Sequence, residues 1–291
     1  MGTADVIPGV SGGTMALILG IYTRLINAIK SFDLGWLKGI ARFDSKVIFG
    51  RPDFALLVPL LIGIFLALMF FTRVISLPEL LNTYPEPVYA LFFGLIAGSV
   101  VILLGHIEKI AIKDFLYLFA GIVFGLIVFN LVPVNTPEES WFIFLSGALA
   151  ICAMILPGIS GSFILLILKK YDYIFNAVGY FDFTVLIPFG LGIIVGLALF
   201  ARFLSWLLKN FYRATIMVIN GLLIASLWVI WPFQERVYEL AGNKLQLVGS
   251  SPYLPGSITL HGLLVICMAV LGIVLVFLID HFSKKISLSK E

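Results

Sequence analysis

The sequence predicts an all-α polytopic membrane protein built from two inverted-topology repeats. Three observations predict this fold class: the composition, the spacing of the apolar segments and a duplicated motif. Of the 291 residues, 61% are hydrophobic and 12% are charged, and the mean hydropathy is +1.11. Soluble domains average about 45–50% apolar and about 25% charged residues. The composition therefore excludes a soluble fold, and the small net charge of +3 gives no sign of a nucleic-acid partner.

Six segments are long and apolar enough to cross a membrane, which takes about 20 mostly apolar residues. Two further apolar stretches, residues 6–23 and 140–168, each contain a Pro-Gly pair. Proline lacks an amide donor and glycine is flexible, so each stretch is predicted to be a broken, re-entrant helix. The six predicted spans are residues 54–72, 88–105, 115–132, 183–201, 214–231 and 260–279.

The two broken stretches match each other. Residues 4–29 align with residues 153–178 at a constant offset of 149, and 11 of the 26 positions are identical. Chance similarity between apolar runs explains the Leu and Ile matches, but not a repeated Pro-Gly-x-Ser-Gly. Weaker matches continue at offsets of 129, 127 and 147. We therefore predict a first repeat over residues 1–139, with a short N-terminal arm, and a second over 140–291, together forming one membrane domain.

The distribution of basic residues predicts the orientation. If both broken stretches re-enter, 14 of the 19 Lys and Arg residues lie on one side; if both span, 12 do. Basic residues are enriched in cytoplasmic loops, so the re-entrant arrangement is preferred and both termini are expected in the cytoplasm. Three spans in each repeat then invert the second repeat relative to the first, which is a common plan for transporters.

Two connecting segments have a distinct composition. Residues 31–53 are basic and aromatic, and they are predicted to form a helix on the membrane surface. Residues 234–259 are the longest polar segment and contain several turn residues, so an external loop or small cap is expected.

The duplicated motif carries the candidate binding chemistry. Its small residues allow successive amides to point into one concavity, and a helix that begins near Thr14 presents free N–H groups and a partial positive charge. Ser11 and Thr14 can cap this half-helix. Such an arrangement suits a phosphate or carboxylate; the alternative is that the motif only bends a helix for packing. We expect the two turns to face each other around one anion, contacted by Pro8, Gly9, Ser11, Gly12, Gly13, Thr14, Pro157, Gly158, Ser160, Gly161 and Ser162.

Four charged residues near the broken stretches are further candidates. Asp5 precedes the first turn, where it would either cap a helix or bind a coupling proton. Arg24, Arg73 and Arg202 follow apolar segments. Arginine pairs well with phosphate, although an arginine at a helix end also serves as a membrane-interface anchor. We predict these four as possible charge partners or coupling residues.

An enzyme is not predicted. The sequence contains neither H-E-x-x-H nor G-x-S-x-G, and no His or Lys is placed to activate Ser11 or Ser160 as a nucleophile. The sequence therefore predicts no catalytic residue, no metal site and no cofactor.

The two motif-bearing segments resemble a known family. A-D-V-I-P-G-V-S-G-G-T-M-A-L-I-L-G-I-Y and L-P-G-I-S-G-S-F-I-L-L-I-L-K-K-Y are similar to those of the PopT polyprenyl-phosphate transporters, formerly a domain of unknown function, and the resemblance covers essentially the whole chain. It implies a flippase in the cytoplasmic (inner) membrane that returns undecaprenyl phosphate, or a related lipid, to the inner leaflet for cell-envelope synthesis. The implied partners are this lipid and membrane lipids, with no nucleic acid; the oligomeric state is not fixed.

Two other functions stay open on the sequence. An inorganic-anion channel or exchanger also uses Gly-Ser-Pro turns at half-helix ends, and it would enclose an aqueous pore. An intramembrane enzyme acting on a lipid phosphate would release free phosphate. A lateral opening wide enough for an acyl chain would favour the lipid transporter.

Overall fold

All the regular structure described in the first half of the chain is helical. The computed structural model describes residues 1–2, 11–75, 80, 83–105, 107, 110–131, 136–241, 244–255 and 260–288. The helices of the first half are α1 (Gly12–Ile18), α2 (Tyr22–Lys30), α3 (Leu34–Ala41), α4 (Ser45–Gly50), α5 (Phe54–Arg73), α6 (Pro85–Gly105) and α7 (Ile112–Phe129).

The second half contains six helices and a small antiparallel hairpin within the described residues. The elements are α8 (Ser140–Ile155), α9 (Gly161–Ile167), α10 (Tyr171–Tyr180), α11 (Phe183–Asn210), α12 (Tyr212–Val229), β1 (Gln234–Ala241), β2 (Lys244–Pro252) and α13 (Leu260–Leu288).

The predicted six spanning helices are confirmed. Helices α5, α6, α7, α11, α12 and α13 are each long and apolar enough to cross a membrane. Helix α11 reaches Asn210, beyond the predicted end at residue 201, because its apolar pattern continues for two more turns. The chain is therefore an all-α polytopic membrane protein in its spanning part.

The predicted interruption of the second apolar stretch is also confirmed. Helix α8 ends at Ile155, and α9 begins at Gly161 after a turn that contains Pro157. The equivalent turn of the first stretch includes residues 6–10, which lie outside the described residues. Its helix α1 begins at Gly12, two residues before the predicted start near Thr14.

The two halves share helix bounds at the offsets found in the sequence. Helix α1 corresponds to α9 residue for residue at an offset of 149. The second residue after each helix lies in the left-handed region, Gly20 with φ +68° and Lys169 with φ +50°. An aspartate caps α5 and α11 at equivalent positions, Asp53 and Asp182. The sequence similarity is therefore accompanied by the same local structure.

Four of the spanning helices pair between the halves, whereas α11 packs mainly along α8 of its own half. Helix α6 packs along α13, and α12 packs along α7. A Cβ at Gly94 would lie 1.9 Å from the Ala269 carbonyl oxygen, and one at Gly221 would lie 2.3 Å from that of Leu118. Small residues allow such close backbone contact between helices in a membrane, so these two helix pairs join the halves.

Charged side chains lie at the start of both helix pairs. Arg213 at the start of α12 donates from Nε to Asp114 Oδ1 at 2.9 Å, and Asp114 at the start of α7 is buried. At the equivalent positions of α6 and α13, Glu86 lies 3.6 Å from His261. The offsets between these residues are 127 and 147, as in the sequence matches. Both acidic residues belong to the first half and both basic partners to the second, so acid and base are exchanged between the equivalent helices of the two pairs.

The predicted external loop at residues 234–259 contains regular structure. Strands β1 and β2 pair antiparallel, with an irregularity between Val237 and Tyr238. The expectation of a loop or small cap did not include strands. Their sequences carry Val, Tyr and Leu residues that favour extended backbone.

Replacing Gly94 by alanine should destabilise the α6–α13 pair. The new methyl group would overlap the Ala269 carbonyl oxygen, so the helices must separate, at a cost of about 1–3 kcal/mol. The matched control is Gly63→Ala in α5, where a Cβ meets nothing within 4 Å. Thermal unfolding in detergent should show a lower Tm for G94A and an unchanged or higher Tm for G63A; equal Tm values would contradict this packing.

Candidate functional site

The start of α1 lies against the end of α8, so the two matched turns meet. Ser11 is the N-cap of α1, and its Oγ accepts a hydrogen bond from the Gly13 amide at 3.1 Å. The same hydroxyl is within donating distance of two carbonyl oxygens, that of Met154 at 3.1 Å and that of Leu156 at 3.3 Å. Ser11 is 2% exposed. The predicted capping role of Ser11 is confirmed, and the residue also joins the two turns.

A second hydroxyl from the first half reaches the end of α8. The phenol of Tyr22 donates to the Ile155 carbonyl oxygen at 3.1 Å, and Tyr22 is buried. The last carbonyls of a helix have no partner within it, and an unpaired carbonyl in hydrocarbon is costly. Ser11 and Tyr22 therefore supply donors that the broken end of α8 requires. The sequence matched Tyr22 with Tyr171 but did not reveal this contact.

Thr14 joins the turns in the opposite direction. Its Oγ1 accepts a hydrogen bond from the Gly158 amide at 3.0 Å, and Thr14 is fully buried. The sequence predicted that Thr14 could cap its own helix, and the hydroxyl instead accepts from the second turn. Gly158 has φ +91°, and a Cβ there would lie 3.2 Å from the Leu222 carbonyl oxygen. Glycine is therefore required at this position by both conformation and space.

The glycines of the two motifs allow the closest contacts of the site. A Cβ at Gly13 would lie 2.6 Å from the Ile155 carbonyl oxygen, and one at Gly161 would lie 2.7 Å from that of Ala150. Gly12 is buried at the start of α1, and Pro157 is buried in the second turn. These four predicted site residues thus pack the turns together, whether or not they also contact a ligand.

The hydroxyls of the second motif are more accessible than those of the first. Ser160 is the N-cap of α9 but makes no capping hydrogen bond, and its Oγ lies 2.7 Å from Ser162 Oγ. Ser160 is half-buried and Ser162 is exposed, whereas Ser11 is buried. The accessible hydroxyls of the predicted site therefore come from the second motif.

A buried lysine closes the hairpin formed by α8 and α9. Lys170 is 2% exposed; its Nζ donates to the Thr136 carbonyl oxygen at 2.9 Å and lies 5.6 Å from the centre of the Tyr173 ring. Thr136 Oγ1 donates to the Leu168 carbonyl oxygen at 2.5 Å. The residues that precede α8 and those that follow α9 therefore lie together.

The two charged candidates whose side chains are described, Arg24 and Arg202, form their hydrogen bonds outside the two turns. Arg24 is exposed and donates from Nε to Asp53 Oδ2 at 2.5 Å, and this hydrogen bond holds the pKa of Asp53 below its ordinary value. Arg202 donates from Nη1 to the Ala198 carbonyl oxygen of its own helix. Arg73 is the last residue of α5, and its side chain lies outside the described part. Asp5, Pro8 and Gly9 also fall outside the described residues.

A polar contact between α2 and α11 was not predicted. Lys30 Nζ donates to Ser205 Oγ at 3.1 Å, and Ser205 Oγ donates to Asn27 Oδ1 at 3.1 Å. Asn27 matches Asn176 and Ser205 matches Ser76 in the sequence, so the repeat itself singled out two of the three residues. The contact links the first half to the second beside the buried core.

Many membrane transporters have interrupted helices that meet among spanning helices, and this chain has the same arrangement. Comparison with known proteins identifies the group. The chain belongs to the undecaprenyl phosphate translocase-like family, whose pattern matches residues 1–248. The family and the names of its members indicate a transporter and not an enzyme, as predicted. No solved structure matches the chain.

Two relatives illustrate the family. A protein of Vibrio cholerae named polyprenyl-phosphate transporter is 40% identical over 237 residues, covering 81% of this chain and 76% of the relative. A protein of Staphylococcus aureus with the same name is 32% identical over 254 residues, covering 80% of this chain and 83% of the relative. The resemblance seen in the two motifs is therefore confirmed.

Replacing Thr14 by valine should destabilise the contact between the turns. The Gly158 amide would lose its acceptor in a buried place, at a cost of about 1–3 kcal/mol. The control is Thr215→Val in α12, because the Phe211 carbonyl that accepts from Thr215 Oγ1 also accepts from the Thr215 amide. Unfolding in detergent should show a clear loss for T14V and a change within about 0.5 kcal/mol for T215V; equal stability of the two variants would disprove the role of Thr14.

Proposed function

We propose that this chain is a flippase for undecaprenyl phosphate or a related polyprenyl phosphate, with the phosphate head group bound at the two matched turns. The names of its relatives support the substrate. The observation that carries the site is the hydrogen bond from the Gly158 amide to Thr14 Oγ1, since it brings the two motifs into contact. The two turns then act as one site.

The physical task of such a protein is to carry a charged group through hydrocarbon. The polyprenyl tail is soluble in the bilayer, whereas the phosphate is very costly to transfer there unless its hydration is replaced. Hydroxyl and amide groups of the turns can replace that hydration. The tail stays in the lipid while the head group moves between the leaflets.

Within the site, the second turn is the better candidate for direct contact. The hydroxyls of Ser160 and Ser162 are accessible and bonded only to each other among the described residues. The hydroxyls of Ser11 and Thr14 are buried and already paired with the second turn. We infer that Ser160 and Ser162 contact the head group first, and that Ser11 and Thr14 hold the turn in shape.

An inverted, re-entrant architecture is part of this proposal. The contacts of Lys170 and Thr136 bring both ends of the α8–α9 hairpin together, as expected for a segment that enters and leaves the membrane on the same side. The reciprocal pairing of α6 with α13 and α12 with α7 is what two repeats related by a pseudo-twofold axis would produce. We infer that the repeats meet at residue 139–140, with the head-group site between them.

The orientation follows from the charge distribution. Placing 14 of the 19 basic residues in the cytoplasm puts both termini there. As the family resemblance implies, we infer that the transporter lies in the cytoplasmic membrane and returns the lipid phosphate from the outer to the inner leaflet. Recycling of a lipid carrier for cell-envelope synthesis requires this direction.

The double variant S160A/S162A should lose transport while keeping its fold. Removing two accessible hydroxyls takes away two hydrogen bonds to an anion, and bonds to charged groups are worth about 1.5–3 kcal/mol each, so flux should fall by at least about tenfold. The measurement is flux of labelled polyprenyl phosphate in proteoliposomes, with and without a proton or sodium gradient. The control is Ser146→Ala in α8, whose hydroxyl bonds its own helix.

The outcomes separate the possible functions. Flux of lipid phosphate by the native chain that falls only in S160A/S162A supports the proposal. Flux of a small anion without lipid flux would indicate a channel or exchanger instead. Native-level lipid flux by S160A/S162A would place the head group elsewhere in the molecule.

The contact between α2 and α11 should separate during transport. Alternating access requires that the broken elements be exposed to one side and then the other, and the polar bonds of Ser205 with Asn27 and Lys30 can exchange with water. We therefore expect a disulfide between cysteines at positions 27 and 205 to stop lipid flux, with recovery on reduction. Both native cysteines, Cys152 and Cys267, are first replaced by serine.

A second disulfide provides the control for this experiment. A Cβ at Gly98 would lie 3.5 Å from Val276 Cβ within the α6–α13 pair, which matches disulfide geometry. Cysteines at positions 98 and 276 should oxidise without loss of flux, because that pair moves as one body. Full flux with the 27–205 disulfide formed would show that α2 and α11 stay together.

A further inference from the structure

The two halves differ in the connection between their broken elements and their first spanning helices. In the second half, only residues 181 and 182 connect α10 to α11, whereas residues 31–53 connect α2 to α5. Both connections end at a capping aspartate, Asp53 or Asp182. Residues 31–52 are therefore an addition to the first half, and the packing of the repeats does not require them.

The added segment is folded and attached to the rest of the chain. It forms α3 and α4, which pack closely because a Cβ at Gly39 would lie 2.5 Å from Val47 Cγ1. Trp36 Nε1 donates to the Ile48 carbonyl oxygen at 3.1 Å. Arg51 Nη1 donates to Asp33 Oδ1 at 2.8 Å, which joins the two ends of the segment. We name α3, α4 and their connection the basic hairpin.

The outer surface of the basic hairpin is strongly apolar. Phe43 at its tip is 90% exposed, Leu34 is 72% exposed and Phe49 is 71% exposed; Leu37 and Ile40 are also exposed. Contiguous exposed apolar side chains of this kind mark an interaction surface. Since α5 begins at Phe54 and is apolar enough to span, the hairpin precedes a span directly and lies at a membrane face.

Basic side chains accompany this apolar surface. Lys38, Arg42 and Lys46 are exposed, and none of them forms an ion pair within the described part of the chain. The Asp44 carboxylate accepts from the amides of Lys46 and Val47 as the cap of α4. Apolar residues beside unpaired cations are typical of an element that lies in the interface of an anionic bilayer.

We propose that the basic hairpin binds anionic phospholipid head groups of the bilayer that the chain spans. Phe43, Leu34 and Phe49 enter the boundary between head groups and acyl chains, and Lys38, Arg42 and Lys46 pair with lipid phosphates. The surface selects anionic over zwitterionic lipids through these three cations. This interaction is separate from transport at the two turns.

The test places a fluorophore at the tip of the hairpin. Phe43→Cys, in the background lacking Cys152 and Cys267, is labelled with an environment-sensitive dye and reconstituted in phosphatidylcholine vesicles containing phosphatidylglycerol. Equal small fractions of nitroxide-labelled phosphatidylglycerol or phosphatidylcholine are then used as quenchers. Phe181→Cys is the matched control, since Phe181 is also exposed with positive φ but lies in the short connection of the second half.

The expected result is quenching at position 43 by both lipids, with the anionic quencher preferred by about fivefold, as for one cation close to an anionic surface. The variant K38Q/R42Q/K46Q should keep the quenching and lose the preference, while its helical circular dichroism stays unchanged. Position 181 should show no preference. Absence of quenching at position 43, equal quenching by both lipids, or a preference retained in the triple variant would each overturn the proposal, for example in favour of a protein partner.

Discussion

The broken end of α8 sets the constraint on which the site depends. A helix that stops inside a membrane leaves carbonyl groups without donors, and hydrocarbon offers no water to satisfy them. In this chain the donors come from the other half, as the hydroxyls of Ser11 and Tyr22 bond to carbonyls at the end of α8. The amide of Gly158 is in turn satisfied by Thr14. The break in α8 thus depends on the start of α1, because the hydrogen bonds that satisfy the end of α8 also hold the two motifs together.

The two copies of the motif have diverged in use. Within the described residues, the hydroxyls of the first copy, on Ser11 and Thr14, are buried and hydrogen-bonded to the end of α8 and to Gly158, whereas Ser160 and Ser162 remain accessible. The two copies of Pro-Gly-x-Ser-Gly are therefore not equivalent. In the proposed site, the second copy meets the head group and the first copy holds it in shape.

Features that depend on neighbouring residues were predictable from the sequence. The six spans, the break at Pro157 and the cap at Ser11 follow from local hydropathy and local backbone chemistry. Contacts between distant residues were not predictable in this way. The acceptor role of Thr14 toward Gly158 depends on how the two halves approach each other. The burial of Lys170 depends on Thr136, although the alignment of the repeats does place Lys169 and Lys170 opposite Gly20 and Ile21. The strands of residues 234–252 were missed because their apolar alternation is short and lies in a polar segment.

The exchange of helices between the halves also governs how the chain is made. Helix α6 is synthesised well before α13, its partner, so the groove at Gly94 has no native occupant until almost the whole chain has left the ribosome. Helix α7 likewise waits for α12. Four of the six spanning helices therefore have their partner in the other half, and contacts between residues so far apart in sequence form late. Until those partners are made, α6 and α7 are unpaired, and the backbone groove at Gly94 stays exposed.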